Sequence, residues 1–140
     1  MTILRASGAG QVEQVFTFED VAPGLYDIRI TKAAHTMYML KNVAVAEAPL
    51  DLTEDPRASV KQITLLCGDI NGDKAINVTD LSILWSATNY NKSGDAATNP
   101  SADLNGDGAI NVTDLNILWS AVNYNKGAVV FDYGFYPREN

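Results

Sequence analysis

The sequence contains few of the residues that would tie it to a membrane, to nucleic acid or to itself through a disulfide. Cys67 is the single cysteine in 140 residues, so no internal disulfide can form. No apolar run approaches the roughly 18 residues that a membrane-spanning helix needs. Ten Lys and Arg residues stand against seventeen Asp and Glu, giving a net charge of −7, and they form no basic cluster. We therefore expect no nucleic-acid partner, no membrane insertion and a monomer in isolation.

Catalytic residues are equally scarce. His35 is the one histidine and lies in a predicted loop, where an ordinary surface or turn role outweighs a catalytic or metal-binding role. Cys67 has no His or basic residue near it in the sequence to activate the thiol, and we interpret it as a small packing residue. The sequence offers no nucleophile with an adjacent base and no phosphate-binding loop. It therefore predicts a binding module rather than an enzyme.

The chain does contain an internal sequence repeat. Residues 68–92 and 102–126 are identical at 20 of 25 positions, with a constant offset of 34 residues. Loop positions 1, 3, 5, 9 and 12 carry oxygen-bearing side chains, which are Asp69, Asn71, Asp73, Asn77 and Asp80 in the first copy and Asp103, Asn105, Asp107, Asn111 and Asp114 in the second. Calcium takes six to eight oxygen ligands, and loops of this type add the main-chain carbonyl of position 7, here Ala75 and Ala109. The pattern predicts two calcium ions, which would change the formal charge from −7 to −3 (−7 + 4).

The first loop differs from a standard EF-hand in three ways and the second loop in two. Position 12 is Asp rather than Glu, and no helix is predicted before either loop, because Ile63–Leu66 is strand-like and Asn99–Pro100 breaks helices. Each unit is therefore predicted to be a loop followed by a single helix. Position 6, which favours a left-handed backbone, is Gly108 in the second loop but Lys74 in the first. We expect the first loop to bind calcium more weakly.

This arrangement resembles the type I dockerin family, whose D-x-N-x-D-x-x-x-N-x-x-D-L pattern appears at residues 69–81 and 103–115. The resemblance implies a non-catalytic module that binds a cohesin domain on a scaffoldin. It also implies an extracellular setting, in a secreted complex of the cellulosome kind that degrades polysaccharides. Since residues 1–5 lack the basic start and apolar stretch of a signal peptide, we interpret the chain as a fragment of a longer secreted protein without its signal peptide.

Dockerin recognition residues lie at loop positions 10 and 11 and along one side of the following helix. Carried over to this sequence, the resemblance implies a partner surface formed by Val78, Thr79, Ser82, Trp85, Ser86 and Asn89, and by Val112, Thr113, Asn116, Trp119, Ser120 and Asn123. Many relatives have Lys or Arg on this side of the helix, so Trp and Ser predict a more apolar cohesin surface. The alternative is that the tryptophans close a core between the helices or against the N-terminal module.

The helices themselves are predicted to start near Val78 and Val112 and to end near Tyr90 and Tyr124. A second stripe on each helix has the spacing of a core-facing surface, and it consists of Leu81, Leu84 and Thr88 in the first copy and Leu115, Leu118 and Val122 in the second. The near-identity of the copies predicts pseudo-two-fold symmetry. It also predicts that one partner can bind in two orientations.

The first sixty residues have a different texture, with short β-rich runs at residues 15–18, 24–30, 37–40, 43–45 and 63–66 separated by turns such as Lys41-Asn42. They predict a small antiparallel β-sandwich in which Phe18, Val21, Tyr26 and Ile28 point inward. The segment 16–30 resembles a hairpin of carboxypeptidase-regulatory-like and immunoglobulin-like modules. Beside a dockerin, such a module resembles the X modules that often precede dockerins.

The predicted organisation is therefore a β-sandwich accessory (X-like) module at residues 1–66, followed by an α dockerin fold with two calcium loop-helix units at 67–127. Residues 128–140 are predicted to form a C-terminal clasp or tail, in which alternating Val129, Phe131 and Tyr133 look like an edge strand. Two other functions stay open. One is a calcium-stabilised accessory fragment of an extracellular glycoside hydrolase that binds no cohesin, and the other is a calcium sensor, although sensors need paired helices.

Overall fold

The computed structural model describes residues 15–134. The parts of the predicted modules at 1–14 and 135–140 lie outside these residues. The strands are β1 (Gly24–Ile30), β2 (Tyr38–Val45), β3 (Ala75–Ile76), β4 (Lys92–Ser93), β5 (Ala109–Ile110), β6 (Lys126–Gly127) and β7 (Val129–Asp132). The α-helices are α1 (Ala58–Lys61), α2 (Val78–Leu84) and α3 (Val112–Leu118), with short 3-10 turns at Leu52–Glu54, Gly94–Ala96 and Pro100–Ala102.

The N-terminal module is built on one three-stranded sheet in the order β1-β2-β7. The prediction of an antiparallel sandwich is wrong for the described residues, because 15–18 and 63–66 form no strand and no second sheet layer covers this one. β1 and β2 pair antiparallel, whereas β2 and β7 pair in parallel. Parallel neighbours cannot be joined by a tight turn, and here residues 46–128, which include both repeated units, form the connection.

The predicted turn at Lys41-Asn42 is a bulge inside β2. Asn42 has a φ of 58°, and the register with β1 shifts between Tyr26 and Ile28. The Asn42 main-chain N–H donates to the Asp27 carboxylate at 3.0 Å, and its side-chain amide donates to Asp132 at 2.9 Å. Asn tolerates the left-handed backbone, so one extra residue is absorbed without ending the strand.

A first core lies on one face of this sheet. Its buried members are Tyr38, Leu40, Val43, Val60 and Tyr133. The Tyr38 hydroxyl donates to the Ser59 carbonyl at 2.6 Å and thereby holds α1 against β2. The C-terminal segment contributes Tyr133 and the partly buried Phe131, so the end of the chain completes the N-terminal module.

The prediction that four residues in β1 and in the segment before it point inward is mostly wrong. Phe18, Val21 and Tyr26 are exposed, and only Ile28 packs against the core. The physical reason is that a single-layer sheet has one covered face. The residues assigned to the inside of a sandwich therefore have nothing to pack against.

A second core lies between the two repeated units. It consists of Ile70, Ile76, Leu84, Ala102, Ile110 and Leu118, with Leu81 and Leu115 partly buried beside it. The predicted core positions Leu84 and Leu118 are confirmed, since both are fully buried. The prediction for Thr88 and Val122 is wrong, because each helix ends seven residues after it begins and helical spacing no longer applies there. Val122 is 66% exposed.

The two units exchange short strands. β3, at the end of the first loop, pairs with β6, which follows α3. β5, at the end of the second loop, pairs with β4, which follows α2. Each loop is therefore closed by the segment behind the other unit's helix.

The first loop begins against the N-terminal module. The Ala34 carbonyl accepts hydrogen bonds from the N–H groups of Gly68 (2.8 Å) and Asp69 (3.1 Å), and His35 bridges Cys67. Gly68 has a φ of +134°, and a Cβ added there would lie 3.0 Å from Ile76. A side chain at this position would be both strained and crowded. No helix in the described part of the chain is long and apolar enough to cross a membrane.

Candidate functional site

The first residue of each loop collects main-chain N–H groups. Asp69 accepts hydrogen bonds from Gly72 (2.8 Å) and Lys74 (2.9 Å). Asp103 accepts the equivalent bonds from Gly106 and Gly108, both at 2.9 Å. These contacts wind each loop around a carboxylate.

The last predicted ligand of each loop joins the loop to its helix. Asp80 is fully buried, and its carboxylate accepts hydrogen bonds from the N–H groups of Ile70 (2.8 Å), Asn71 (3.2 Å) and Asn77 (2.9 Å). Asp114 is equally buried and repeats all three bonds. The carboxylate therefore satisfies N–H groups at the start of the loop and at the start of the helix.

Position 9 acts as the helix N-cap in both units. The Asn77 side chain accepts a hydrogen bond from Thr79 N–H at 2.8 Å, and with Asp80 it forms a capping box. Asn111 and Asp114 form the same box at α3. A capping box lets a helix of only seven residues start at a defined place.

The ligand candidates at positions 3 and 5 are exposed. Asn71 accepts from Asp73 N–H at 3.0 Å and donates to the Asp73 carboxylate at 2.8 Å, while Asp73 accepts from Ala75 N–H at 2.9 Å. The second loop repeats this set at Asn105 and Asp107. Two of the predicted ligands in each loop thus fix each other's orientation.

The predicted left-handed backbone at position 6 is confirmed in both loops. Lys74 has a φ of 75° and Gly108 a φ of 89°. For a residue with a Cβ this conformation costs on the order of 1 kcal/mol. The weaker calcium binding expected of the first loop stays a prediction.

Among residues 15–134, no loop aspartate forms an ion pair with a cationic side chain. Within residues 15–134 the ion pair of Arg57 with Asp55 does not involve a loop, and neither buried Asp80 nor buried Asp114 contacts Lys, Arg or His. Burial raises the pKa of Asp69, and the neighbouring Asp80 and Asp73 raise it further against the lowering effect of its two N–H bonds. Buried carboxylates are normally paired or bound to a metal, so these residues fit a hard cation in charge and donor type.

The acidic groups alone do not enclose an ion. Among the described residues no three His, Cys, Asp or Glu side chains come together as a metal-binding group. Amide oxygens and the main-chain carbonyls of Ala75 and Ala109 would have to complete the coordination, as calcium loops ordinarily use them.

Both helices end earlier than predicted, because an asparagine side chain takes over the end of each. The Asn89 amide donates to the Ile83 carbonyl at 2.7 Å and its oxygen accepts from Asn99 N–H at 2.8 Å. Asn89 is 1% exposed, so its assignment to the partner surface is wrong. Asn123 donates likewise to Ile117 at 2.8 Å, but its oxygen accepts from Cys67 N–H at 3.3 Å.

The tryptophans lie on the surface. Trp85 is 57% exposed and Trp119 is 56% exposed, so the alternative that they close a core is wrong. Each indole is tilted against the tyrosine five positions later, with 4.6 Å between the Trp85 and Tyr90 ring centroids and the same distance for Trp119 and Tyr124. The tyrosines hold the indoles in place, a role that the sequence analysis did not assign them.

Between the helices runs a groove of about 710 Å³. It is lined by Leu81, Ser82, Trp85, Ser86, Leu115, Asn116 and Trp119. No charged side chain lines it. Among the other predicted partner residues, Val78, Thr79, Val112 and Thr113 are exposed, whereas Ser120 and Asn123 are half-buried. The groove takes residues from both copies, and sequence reasoning had assigned its leucine floor to the core alone.

Comparison with known proteins gives a consistent picture. Residues 67–123 match the family model of the dockerin type I domain. No curated protein matches the chain. A C-terminal interface mutant of a type II cohesin–X–dockerin complex from Acetivibrio cellulolyticus has a chain that is 30% identical, with a TM-score of 0.55, over 78% of this chain and 67% of that one.

Two further solved structures are similar. An N-terminal interface mutant of the same kind of complex, from the same organism, is 32% identical with a TM-score of 0.54, over 77% of this chain and 67% of that one. A type II cohesin-dockerin domain from Bacteroides cellolosolvens is 39% identical with a TM-score of 0.35, over 47% of this chain and 95% of that one.

Proposed function

This chain belongs to the dockerin family, and we propose from that premise that it is a calcium-dependent docking module that binds a cohesin domain of a scaffoldin. Its relatives of known structure are cohesin–X–dockerin complexes, matched over more than three-quarters of this chain. The observation that carries the proposal is the pair of exposed tryptophans on two calcium-type loop-helix units. Docking without catalysis is its whole activity. The module serves in a secreted, cellulosome-like complex for polysaccharide degradation.

Two calcium ions hold the docking units in this proposal. Asp69, Asp73 and Asp80 supply the charge in the first loop, with the amide oxygens and the Ala75 carbonyl completing the ligands. Asp103, Asp107 and Asp114 act in the same way in the second loop with Ala109. Each ion neutralises aspartates that form no ion pair within the described residues, so metal binding stabilises the fold. The exchanged strands and the repeated hydrogen bonds support a pseudo-two-fold relation between the units.

The groove between the helices is the partner-binding surface. Since no charge lines it, the cohesin face that it accepts is apolar, with Trp85 and Trp119 as the anchors. Large exposed aromatics surrounded by small polar groups are typical of residues that dominate binding energy. Both tryptophans face the same groove, and neither helix is covered by the N-terminal sheet or by β7, so either orientation of a symmetric partner contact is open.

The test is titration calorimetry with a type II cohesin, in calcium and in excess chelator. We expect binding in calcium only, with little dependence on salt, because the groove is uncharged. A matched pair of single variants, Trp85→Ala and Trp119→Ala, and the double variant separate the binding modes. Two interchangeable orientations, each dominated by the tryptophan of one helix, predict a small loss from each single change and a large loss from the double. Equal affinity of the double variant and the wild type would refute the assignment of the surface.

The N-terminal sheet is an accessory, X-like module in this proposal. It shares a core with the end of the chain and contacts the start of the first loop, so its role is to support the dockerin. A glycoside hydrolase accessory without cohesin binding, or a calcium sensor, has no comparable support. Each unit has one short helix, and a sensor needs a pair that changes its angle.

A further inference from the structure

The segment after α3 spans both modules. We call residues 125–133 the C-terminal strap. Its first part pairs with the first loop, through Ala75 with Gly127 and Ile76 with Lys126. The Asn125 N–H also donates to the Ile76 carbonyl at 2.8 Å, and the Ala128 N–H donates to the Lys74 carbonyl at 2.8 Å. The strap is thus hydrogen-bonded to positions 6 to 8 of the first loop.

The second part of the strap completes the N-terminal sheet. β7 pairs with β2 from Tyr38–Val129 to Lys41–Asp132, and the Val129 N–H donates to the Met37 carbonyl at 3.0 Å. The Tyr133 N–H donates to the Lys41 carbonyl at 2.9 Å. Arg57 donates to the Tyr133 carbonyl at 3.1 Å, with its guanidinium carbon 4.3 Å from the Tyr133 ring centroid.

The contacts with the loop and the contacts with the sheet are made by adjacent residues of the strap. Ala128 is bonded to the loop and Val129, the next residue, is bonded to the sheet. An extended backbone advances about 3.3 Å per residue, so the contact with Lys74 lies only one residue from the first contact of β7 with the sheet. The first loop and the N-terminal sheet therefore both contact the C-terminal strap, and each can affect its position.

Among residues 15–134, the second loop has no such connection to the N-terminal sheet. Its equivalent contact is between Gly94 N–H and the Gly108 carbonyl at 3.0 Å, and the chain then enters the 3-10 turn Gly94–Ala96 within the dockerin. The N-terminal module contacts the start of the first loop through Ala34, and Asp69 there is 4% exposed, whereas the equivalent Asp103 in the second loop is only partly buried. The two copies have the same ligand pattern but different surroundings.

We propose that calcium in the first loop, and not in the second, controls whether the C-terminal strap is seated on the N-terminal sheet. This inference rests on the calcium binding of the proposed function, but not on cohesin binding. By linkage, seating of the strap must raise the calcium affinity of the first loop by the same factor. The second loop then acts as an internal reference.

The experiment uses the matched variants Asp73→Asn and Asp107→Asn in the full chain. Both aspartates are exposed, and each accepts one main-chain bond at 2.9 Å and one bond from the position-3 Asn amide at 2.8 Å. Asn keeps an acceptor for the main-chain bond and removes the charge and the amide contact equally in both loops. Hydrogen exchange is measured at a calcium concentration that saturates the wild type. For Asp73→Asn we expect at least tenfold faster exchange at Val129 and Tyr133. For Asp107→Asn we expect no change there.

A second measurement approaches from the sheet side, in case a loop variant unfolds the whole chain. Val129→Pro removes the bond to Met37, and exposed Val130→Ala in the same strand is its control. Calcium is titrated with the amide signals of Gly72 and Gly106 as separate reporters of the two loops. We expect a threefold to tenfold loss of affinity at Gly72, none at Gly106, and none at either with Val130→Ala.

The outcomes separate the two proposals. If calcium binds and the two loop variants speed exchange in the strap equally, or neither speeds it, this inference is overturned. The docking function is then left intact. Equal loss at Gly72 and Gly106 with Val129→Pro also overturns it. Absence of any calcium-dependent signal change refutes the calcium requirement of the docking function as well as the inference.

Discussion

Replacing Asp80 by alanine is expected to destabilise the dockerin for a reason separate from the loss of a metal ligand. The buried carboxylate accepts three main-chain N–H bonds, at 2.8, 2.9 and 3.2 Å. Net contributions of hydrogen bonds to a charged group are about 1.5–3 kcal/mol, and we give the longest one little weight. The expected loss is about 3–6 kcal/mol, a large part of the roughly 5–15 kcal/mol of a whole domain.

Asp73→Ala is the matched control, because it also removes one predicted ligand charge from the same loop. Asp73 is exposed, and water can replace the hydrogen bonds that it gives up, so its structural share is expected to stay below about 1 kcal/mol. The control therefore reports mainly the loss of metal affinity. The difference between the two variants isolates the buried hydrogen bonds.

The assay is urea unfolding followed by tryptophan fluorescence at several calcium concentrations. A metal contribution changes with calcium as RT ln(1 + [Ca]/Kd), or about 2.7 kcal/mol at 100 times Kd, whereas the hydrogen-bond contribution is constant. We expect two curves of similar slope against log calcium, separated by about 2–5 kcal/mol. Curves that coincide would refute the structural role of Asp80 and leave position 12 as a ligand only.

Three other outcomes are expected. Chelation should lower the helical circular dichroism, because the loop aspartates repel each other and two seven-residue helices bury little surface; unchanged helicity would contradict this. Lys74→Gly should tighten calcium binding in the first loop by about threefold to fivefold relative to Lys74→Ala, which removes the charge but keeps the strain at a φ of 75°; equal affinities would refute it. Burial raises the pKa of Cys67 to about 11, so at pH 8 its alkylation should be on the order of 100-fold slower than that of an ordinary thiol, and rapid modification of folded protein would contradict the burial.

The loop-helix units could be predicted from the sequence because their contacts are local. The ligand pattern, the capping residues and the left-handed position 6 all lie within twelve consecutive residues. Two copies of one segment therefore fold into the same set of hydrogen bonds, as Asp80 and Asp114 show. The buried pair Leu84 and Leu118 also followed from helical spacing.

The N-terminal module could not be predicted because its sheet is completed from the other end of the chain. β7 was expected as a strand, but nothing in its alternating pattern identifies β2 as a parallel neighbour. The hydrophobic runs at 15–18 and 63–66 have strand composition and form none, since β-propensity depends on a neighbouring strand to pair with. The prediction of where the helices end was wrong for a similar reason. Asn89 continues a helical pattern in sequence, and its bonds to Ile83 and Asn99 decide otherwise.

The same asparagine also shows how two nearly identical units come to differ. Asn89 and Asn123 each bind the carbonyl six residues earlier, so the outer faces of the two helices are alike. Their side-chain oxygens point to different parts of the protein, since Asn89 holds Asn99 in the linker and Asn123 holds Cys67 at the start of the first loop. A partner that binds mainly to α3 therefore acts on a helix that is anchored to the first loop and, through that loop, to the strap and the N-terminal sheet. A partner that loads α2 acts on a helix anchored only within the dockerin. Two binding orientations that offer the same surface chemistry should thus differ in how strongly they are coupled to the accessory module.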